Sequence, residues 1–246
     1  MSDAALLHAD VLADHGRAER RGYHVAKRAV DIVVASLLLV LASPLLALAA
    51  IVIRLDSPGP VVFRQQRLRG RRAKRDGRWV WEIRSFTLYK LRTMRVDADP
   101  HVHRRYMEAY LTGDEECLAT MRPGRKHGES YRPAEDPRVT RFGRVLRKLS
   151  IDELPQLSNV LRGDMSLVGP RPPVPYEVEH YQSYHLRRLA SRPGITGWAQ
   201  VKGRCAIGFE DMVRLDLEYI ARRSAWLDLK VMMLTIPVVL SRKGAD

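Results

Sequence analysis

Apolar residues concentrate in one long run near the start of the chain. Residues 29–53 read AVDIVVASLLLVLASPLLALAAIVI, with Asp31 as the only charged position. A helix needs about 20 consecutive apolar residues to cross a bilayer, so the run predicts a membrane segment. The run is too long for the apolar part of a cleaved signal peptide, and a polar, basic stretch precedes it. We therefore expect a retained membrane anchor.

Basic residues flank this run on both sides: Lys27, Arg28, Arg54, Arg64, Arg67 and Arg69. Since cytoplasmic segments are enriched in lysine and arginine, both ends of the run are expected on the cytoplasmic side. Ser43 and Pro44 stand near its middle, where proline removes a backbone donor and a serine hydroxyl can bond to the freed carbonyl. The pattern favours a re-entrant helix over residues 27–56, kinked at Ser43 and Pro44. A kinked transmembrane helix is the alternative.

The next hydrophobic pattern predicts a small pair of strands. Residues 61–68 and 79–94 are rich in Val, Ile, Phe, Trp, Tyr and Thr, and the polar connector GRRAKRDG joins them. Asp76 and Gly77 provide the turn signal within that connector. We expect a hairpin with a basic turn.

Helical spacing follows further along the chain. In residues 138–149, apolar positions recur at helical spacing among basic residues, which predicts an amphipathic helix able to rest on anionic headgroups. A second helix is expected to begin near Asp152 and to end at Gly163. A third covers residues 226–240, either in the membrane interface or in the core. The predicted fold class is mixed α/β and helix-rich, with amphipathic interfacial helices.

Residues 97–133 are polar and irregular, and we interpret them as an insertion. The predicted organisation is a polar segment of residues 1–26, the re-entrant helix, and a cytosolic catalytic domain of residues 57–246. The histidines of the insertion lack a partner set for a metal site and are expected to be exposed and solvated: His101, His103 and His127. No catalytic role is expected of them.

Composition narrows the class of partner. With 246 residues, the chain can form one catalytic unit and an attachment device. Its net charge of +14 suits nucleic acid, anionic lipid or phosphorylated ligands. Nucleic-acid binding ranks last, because no helix-turn-helix, RRM or zinc-finger pattern occurs. A single apolar run argues against a multi-span transporter. Cys117 and Cys205 form no metal or disulfide motif.

Candidate chemistry lies in residues 150–172, which read SIDELPQLSNVLRGDMSLVGPRP. Adjacent carboxylates at Asp152 and Glu153 can hold a divalent cation or supply a nucleophile, and both roles suit a diphosphate substrate. Ser150 and Glu153 also fit a capping box at a helix start. Taken alone, the cap is the more ordinary explanation.

Basic turns supply candidate phosphate ligands. Residues 168–173, VGPRPP, could aim Arg171, and residues 192–204, RPGITGWAQVKGR, begin with Arg192. Two such turns suggest a divided anion site, and tight turns with incidental charges are the alternative. Two further cations end the second predicted strand, where they could reach a phosphate or remain solvated on an edge strand: Lys90 and Arg92.

Three motifs, in order along the chain, closely resemble one family. YKLRTM, DPRVTRFGRVLRKLSIDELPQLSNVLRGDMSLVGPRPP and RPGITGWAQVKGR are similar to motifs of the bacterial sugar transferases, the monotopic polyprenyl-phosphate phosphoglycosyl transferases. The resemblance extends from Lys27 to the C-terminus. It implies transfer of sugar 1-phosphate from a UDP-sugar to undecaprenyl phosphate, with release of UMP. This would be the first membrane step of exopolysaccharide, capsule or O-antigen synthesis, at the cytoplasmic face of the bacterial inner membrane.

The resemblance also implies roles for individual residues. Asp152 would be the nucleophile that forms a phosphosugar-aspartyl intermediate, and Glu153 would hold Mg²⁺ with it or orient it. The matching basic positions are expected to contact phosphate, with the last two as weaker candidates: Arg147, Arg171, Arg192, Lys90 and Arg92. Asp164 is expected to be structural.

Substrates and partners follow from the same resemblance. The long insertion resembles forms that transfer hexose phosphates, so UDP-galactose or UDP-glucose is the expected donor. Ser158 and Lys202 depart from the family pattern, which leaves local packing and sugar choice open. Undecaprenyl phosphate and membrane lipids are the other expected partners, and homo-oligomerisation is open. The alternative is a non-catalytic, membrane-tethered scaffold, against which the intact Asp152 and Glu153 pair argues.

Overall fold

The computed structural model describes residues 12–13, 21–76, 78–99, 101–121, 136, 138–203 and 207–240. Its longest element is helix α1, Arg21–Asp56, with 36 residues. At 1.5 Å per residue this helix is about 54 Å long. Most of the predicted N-terminal segment of residues 1–26 lies outside the described residues, as do His127 and Cys205.

Helix α1 continues through Pro44 because a side chain replaces the missing backbone donor. Proline has no N–H to give to the carbonyl four residues earlier, that of Val40. The Ser43 hydroxyl donates to the Val40 oxygen at 2.8 Å instead. The predicted pairing of serine with the freed carbonyl is confirmed. The re-entrant path of the helix stays a prediction.

Helix α1 exposes most of its apolar surface. By length and composition it could cross a membrane, and only 11% of its most apolar stretch is buried. Its exposed side chains are large and apolar, among them Val33, Leu37, Val40, Leu41, Leu48 and Ile51. A core helix of a soluble domain would bury such a surface, so α1 is suited to anchoring in a membrane.

A long hairpin follows the anchor. Strands β2 (Val62–Arg75) and β3 (Arg78–Leu91) pair antiparallel along their full length, and β1 (Leu12–Ala13) adds to the other edge of β3. Asp76 in the turn has φ 47°. The strand pair and the turn at Asp76 were predicted, whereas the basic connector belongs mostly to the strands. A positive φ at a turn residue is typical of tight hairpin turns.

The remaining elements are short. They are α2 (His101–Thr112), α3 (Glu115–Met121), α4 (Arg141–Lys148), a 3₁₀ turn (Ile151–Glu153), α5 (Gln156–Arg162), β4 (Ser166–Val168), α6 (Pro175–Val178), a second 3₁₀ turn (His185–Leu189), β5 (Gly194–Thr196), α7 (Trp198–Gly203), α8 (Phe209–Arg222) and α9 (Ala225–Leu240). Strands β4 and β5 form a small parallel pair. The mixed, helix-rich fold class is confirmed.

The predicted helix boundaries hold in part. Helix α4 begins at Arg141, where the Thr140 hydroxyl accepts a hydrogen bond from the Gly143 N–H at 2.9 Å. The helix expected near Asp152 begins at Gln156, because a separate 3₁₀ turn precedes it. Gly163 ends it as predicted, with φ 83°.

The main core lies between α1, β3 and the C-terminal helices. Its buried residues are Ala35, Phe86, Leu88, Leu157, Val160, Met165, Leu167, Val168, Trp198, Tyr219 and Val231. The second half of α1 packs elsewhere on the same body, where Ala49 and Ile53 meet Leu91 and Leu146. Both halves of the anchor therefore contact the globular part.

The described part of the insertion is also packed. Residues of α2 and α3 bury against α8 in a cluster of Tyr106, Met107, Ala109, Tyr110, Leu118, Phe209 and Val213. This burial gives α2 a fixed position beside the elements that carry the candidate site.

Candidate active site

The carboxylate pair lies on a strained turn. Asp152 and Glu153 belong to the 3₁₀ turn between α4 and α5, and Asp152 is only 4% exposed. Ser150 before it has φ 55° and ψ 21°, and its side chain makes no capping hydrogen bond. The capping-box alternative is therefore wrong. A left-handed backbone costs a non-glycine residue about 1–2 kcal/mol, and such strain collects at functional sites.

A buried amide fixes this turn to the hairpin. Asn159 on α5 is fully buried, donates to the Thr87 carbonyl at 2.7 Å and accepts from the Tyr89 N–H at 3.1 Å. These bonds satisfy backbone groups of β3 and hold α5 against it. Sequence reasoning missed this residue, and the available signal was one polar position among the apolar Leu157 and Val160.

Helix α4 brings Arg147 to the end of β3. The Arg147 Nε donates to the Thr93 hydroxyl at 2.9 Å. Close approach depends on Gly143, because a Cβ there would lie 2.1 Å from the Thr93 carbonyl oxygen. Lys90 stands near the same end of β3, and the 3₁₀ turn of Asp152 packs on both β3 and α4.

Strand β2 positions the turn that carries Arg171. The Arg67 Nη1 donates to the Pro172 carbonyl at 2.8 Å, and the Leu68 N–H donates to the Pro173 carbonyl at 3.0 Å. Arg67 is buried, and from the sequence it was assigned only to the basic flank of the apolar run. Its function is to fix the residues next to Arg171.

His103 on α2 lies where these cations converge. Its Nδ1 is hydrogen-bonded to the Tyr176 hydroxyl, and burial together with positive neighbours lowers its pKa to about 3. The neighbours that do so come from four separate segments: Arg67, Arg171, Lys90 and Arg138. The expectation of an exposed, solvated histidine is wrong for His103, because α2 packs against α6 and partly buries it.

Asp136 interacts with both Arg138 and Arg147. Asp136 forms an ion pair with Arg138 at 2.6 Å. Burial raises the pKa of Asp136, but the hydrogen bonds and charge of Arg138, with the charge of Arg147, outweigh it and hold that pKa below its ordinary value. Arg138 also donates to the Asp99 carbonyl just before α2. We call the four cations around His103 and Asp136 the site cations: Lys90, Arg138, Arg147 and Arg171.

Arg192 lies in different surroundings, although the two basic turns touch. The Gly194 N–H donates to the Pro170 carbonyl at 2.9 Å. Burial lowers the pKa of Arg192, as do the charges of Arg28 and Arg69, while that of Asp31 raises it. These charges act on Arg192, whereas Arg171 acts on His103. Phosphate contact by Arg192 stays a prediction.

Arg92 binds backbone carbonyls at the C-terminal end of helix α1. Its guanidinium donates to the carbonyl oxygens of Ile53 at 3.2 Å, Ser57 at 2.5 Å and Pro58 at 2.7 Å. These oxygens belong to the last turn of α1 and the residues after it, where backbone donors become scarce. The Ile53 oxygen also accepts from the Ser57 N–H at 3.3 Å. No contact of Arg92 in the described structure supports its predicted phosphate role.

The first half of α1 is attached in the same way. The two Nη atoms of Arg28 donate to the carbonyls of Val160 at 2.6 Å and Leu161 at 2.8 Å. Asp31 is buried and accepts from the Ser166 hydroxyl and the Leu167 N–H, both at 3.0 Å. The one charge within the apolar run therefore docks the anchor on β4. We call Arg28 and Arg92 the anchor arginines.

Asp164 makes the structural contacts that were expected of it. Its Oδ1 lies 3.3 Å from the Arg69 Nη2, and its Oδ2 lies 3.5 Å from the Asn159 Nδ2. These bonds brace the chain after α5.

The carboxylate pair fits one way of holding Mg²⁺. Among the described residues, no group of three or more His, Cys, Asp or Glu could enclose a metal ion. Asp152 and Glu153 would supply two carboxylates at most. Magnesium is usually held by one or two carboxylates, with substrate phosphates and water completing its shell. The expectation of Mg²⁺ at this pair stays a prediction.

An apolar anchor beside a buried carboxylate and several cations is the arrangement expected of a membrane-associated transferase that acts on phosphates. The family model for bacterial sugar transferases matches residues 22–242. The chain therefore belongs to the bacterial sugar transferase family.

Relatives of known name share this region. Galactosyl transferase CpsE of Streptococcus agalactiae is 40% identical over 90% of this chain and 43% of its own length. A UDP-glucose:undecaprenyl-phosphate glucose-1-phosphate transferase of Caulobacter vibrioides is 38% identical over 94% of this chain and 75% of its own. A UDP-N-acetylgalactosamine-undecaprenyl-phosphate N-acetylgalactosaminephosphotransferase of Aeromonas hydrophila is 36% identical over 91% and 45%. The chain spans less than half of the first and third relatives.

Proposed function

We propose that this protein transfers sugar 1-phosphate from a UDP-sugar to undecaprenyl phosphate and releases UMP. The names of the relatives from Caulobacter and Aeromonas describe this kind of transfer. The observation that carries the proposal is the placement of Asp152. It is buried on a strained turn that packs against the two elements bearing Lys90 and Arg147.

The reaction proceeds in two displacements at one phosphorus. An Asp152 oxygen attacks the phosphorus that carries the sugar, and the bond to the bridging oxygen breaks, so UMP leaves with that electron pair. An oxygen of undecaprenyl phosphate then attacks the same phosphorus. The aspartyl bond breaks, the carboxylate is restored, and the lipid carries a diphosphate-linked sugar.

The site cations make this attack electrostatically feasible. A carboxylate and a diphosphate repel each other, so the negative charge must be compensated before they meet. Lys90, Arg147 and Arg171 supply fixed positive charge, and Arg171 is aimed by the Arg67 bond to Pro172. Mg²⁺ held by Asp152 and Glu153 would neutralise part of the diphosphate charge. Glu153 also orients Asp152.

The anchor enters and leaves the membrane from the cytoplasmic face. Residues near both ends of α1 contact the globular part, Arg28 through α5 and Ile53 through Arg92. A helix that crossed the bilayer would carry one end about 30 Å away from that part. Exposed apolar residues of α9, with Trp226 75% exposed, extend the membrane-facing surface. This arrangement holds the site at headgroup level, where a lipid phosphate resides.

The donor carries a hexose, either galactose or glucose. The insertion helix α2 adjoins the site cations through His103, which supports a role of the long insertion in donor choice. The relatives' names include galactosyl, glucose and N-acetylgalactosamine transferases, so a panel of donors is needed.

The test is UMP release from a panel of UDP-sugars with undecaprenyl phosphate and Mg²⁺. The intact protein is compared with Asp152→Ala and Glu153→Ala, with folding checked by thermal unfolding. We expect turnover with one hexose donor and loss in both variants. No release with any donor from the intact protein would favour the scaffold alternative, and turnover that survives in Asp152→Ala would rule out the covalent mechanism.

A further inference from the structure

The insertion helix α2 adjoins the site cations. Helix α2 packs on α6 and α8, and its buried residues Tyr106, Met107 and Tyr110 fix its orientation. His103 lies on the same helix, one to two turns before these residues, and faces α6 through Tyr176. The imidazole is therefore held by a packed helix and is not carried by a loose loop.

The His103 ring has one nitrogen engaged and one available. Nδ1 bonds with the Tyr176 hydroxyl, and the two rings meet edge to face with centroids 6.1 Å apart. Nε2 makes no hydrogen bond to any residue that the structure describes. When Tyr176 donates to Nδ1, the proton of a neutral imidazole resides on Nε2, which is then a donor.

The positive charges around the His103 Nε2–H favour an anionic ligand. Arg67, Lys90, Arg138 and Arg171 all act on His103 electrostatically, and they come from β2, β3 and two loops. Backbone bonds fix two of them: Arg67 to the Pro172 carbonyl and Arg138 to the Asp99 carbonyl. A multiply charged phosphate ligand is the chemical class that such a convergence attracts.

We infer that His103 binds the diphosphate of the nucleotide-sugar donor through Nε2, with Tyr176 as the residue that positions its ring. The inference rests on the proposed function and names residues of the insertion for it. A neutral donor adds a directed hydrogen bond to a phosphate oxygen without adding another positive charge to a crowded cluster. Hydrogen bonds to charged groups are roughly twice as strong as those between neutral groups.

Four variants distinguish a role of His103 in binding phosphate from a role in packing. His103→Phe removes the donor and keeps a ring, His103→Gln keeps a neutral donor near Nε2, and Tyr176→Phe removes the positioning hydroxyl. His101→Phe is the matched control, because His101 is exposed on the same helix. The readouts are the Kd of UDP by calorimetry, and the donor KM, acceptor KM and kcat from UMP release.

We expect His103→Phe to weaken UDP and to raise the donor KM by at least about 10-fold, with kcat and the acceptor KM within about 2-fold. Glutamine should restore most of the affinity, Tyr176→Phe should weaken UDP by a few fold, and His101→Phe should match the intact protein. A UDP affinity in His103→Phe equal to that of His101→Phe overturns the inference. So does an equal loss in the glutamine and phenylalanine variants with kcat reduced, since that marks a structural role.

The proposed function and the inference about His103 can be refuted separately. If the intact protein binds UDP but releases no UMP from any donor, the proposed function fails while the UDP affinities still test His103. If turnover is intact and unaffected by His103→Phe, only the inference about His103 fails.

Discussion

The anchor arginines and the site cations show two uses of the same charge. Arg28 and Arg92 direct their guanidinium hydrogen bonds to backbone carbonyls at helix ends, which attaches α1 to the globular part. The site cations come from separate segments and gather around His103 and Asp136. The first group adds hydrogen bonds to backbone carbonyls near helix ends, and the second creates a region of positive charge.

The difference explains why neighbouring residues in one motif can have unrelated roles. Lys90 and Arg92 are two positions apart at the end of β3, yet Arg92 is bonded to three backbone carbonyls of residues 53–58, whereas Lys90 acts on His103. Removing an anchor arginine should reduce stability. Removing a site cation should reduce turnover.

The largest effect should follow from Asp152→Asn. This change removes the nucleophile and keeps nearly the same volume, so kcat for UMP release should fall by at least about 10³-fold. The unfolding temperature should stay close to that of the intact protein. Residual turnover above a few per cent would show that another group carries the chemistry.

A second effect should come from Arg171→Met, which removes one site cation. Loss of a charge-assisted contact to phosphate should lower kcat/KM for the donor by about 10²-fold, while the Tm changes by less than about 2 °C. Steady-state kinetics and a thermal scan on one preparation test both. A large drop in Tm with normal kinetics would show that Arg171 has a structural role like that of the anchor arginines. The distinction between the two groups would then be wrong.

For Arg28→Met we expect a lower Tm with nearly normal activity. Losing two charge-assisted hydrogen bonds should cost about 2–3 kcal/mol, or roughly 5–10 °C in Tm, with activity per folded molecule within about 3-fold. Arg54→Met is the control, because Arg54 is an exposed arginine on the same helix. Equal thermal shifts in the two variants would contradict the role of Arg28 in attaching the anchor.

The site region should also be the more sensitive to acid. His103 has a folded pKa of about 3, below its ordinary value near 6.5. Its contribution to stability is therefore complete above pH 6.5 and is lost as the pH falls toward 3. At pH 5 the loss is about 2 kcal/mol, because the unfolded chain binds the proton and the folded chain does not.

Urea unfolding from pH 8 to pH 5 measures this loss. The intact protein should lose stability relative to His103→Gln over that interval, since glutamine does not titrate. The groups that face His103 and hold its pKa down are Arg67, Lys90, Arg138 and Arg171, with Tyr176 at Nδ1. Parallel pH profiles for the two proteins would show that His103 is not buried among them.

Local signals in the sequence predicted local features. The hairpin turn at Asp76, the end of α5 at Gly163 and the bond from Ser43 to Val40 each depend on a few adjacent residues. Ser150 was misread for the same reason, because a serine three residues before a glutamate fits a cap whether or not the helix starts there. The 3₁₀ turn reflects contacts with β3 that no local pattern records.

Contacts between residues far apart in the sequence were not predictable. The motif that contains Asn159 gives no sign that its amide meets the backbone of β3, more than 70 positions earlier. His103 likewise owes its environment to segments distant in sequence. The family motifs drew attention to five basic residues, of which Lys90, Arg147 and Arg171 are site cations and Arg92 and Arg192 have other contacts. Arg67, Arg138 and Tyr176 became visible only through their contacts.

The covalent role of Asp152 is tested most directly by the intact mass of the protein after incubation with its UDP-sugar and Mg²⁺, in the absence of undecaprenyl phosphate. We predict an adduct of one sugar phosphate that maps to Asp152, disappears when the lipid phosphate is added, and does not form in Asp152→Asn. UMP release without an adduct, or an adduct that persists in Asp152→Asn, would contradict it.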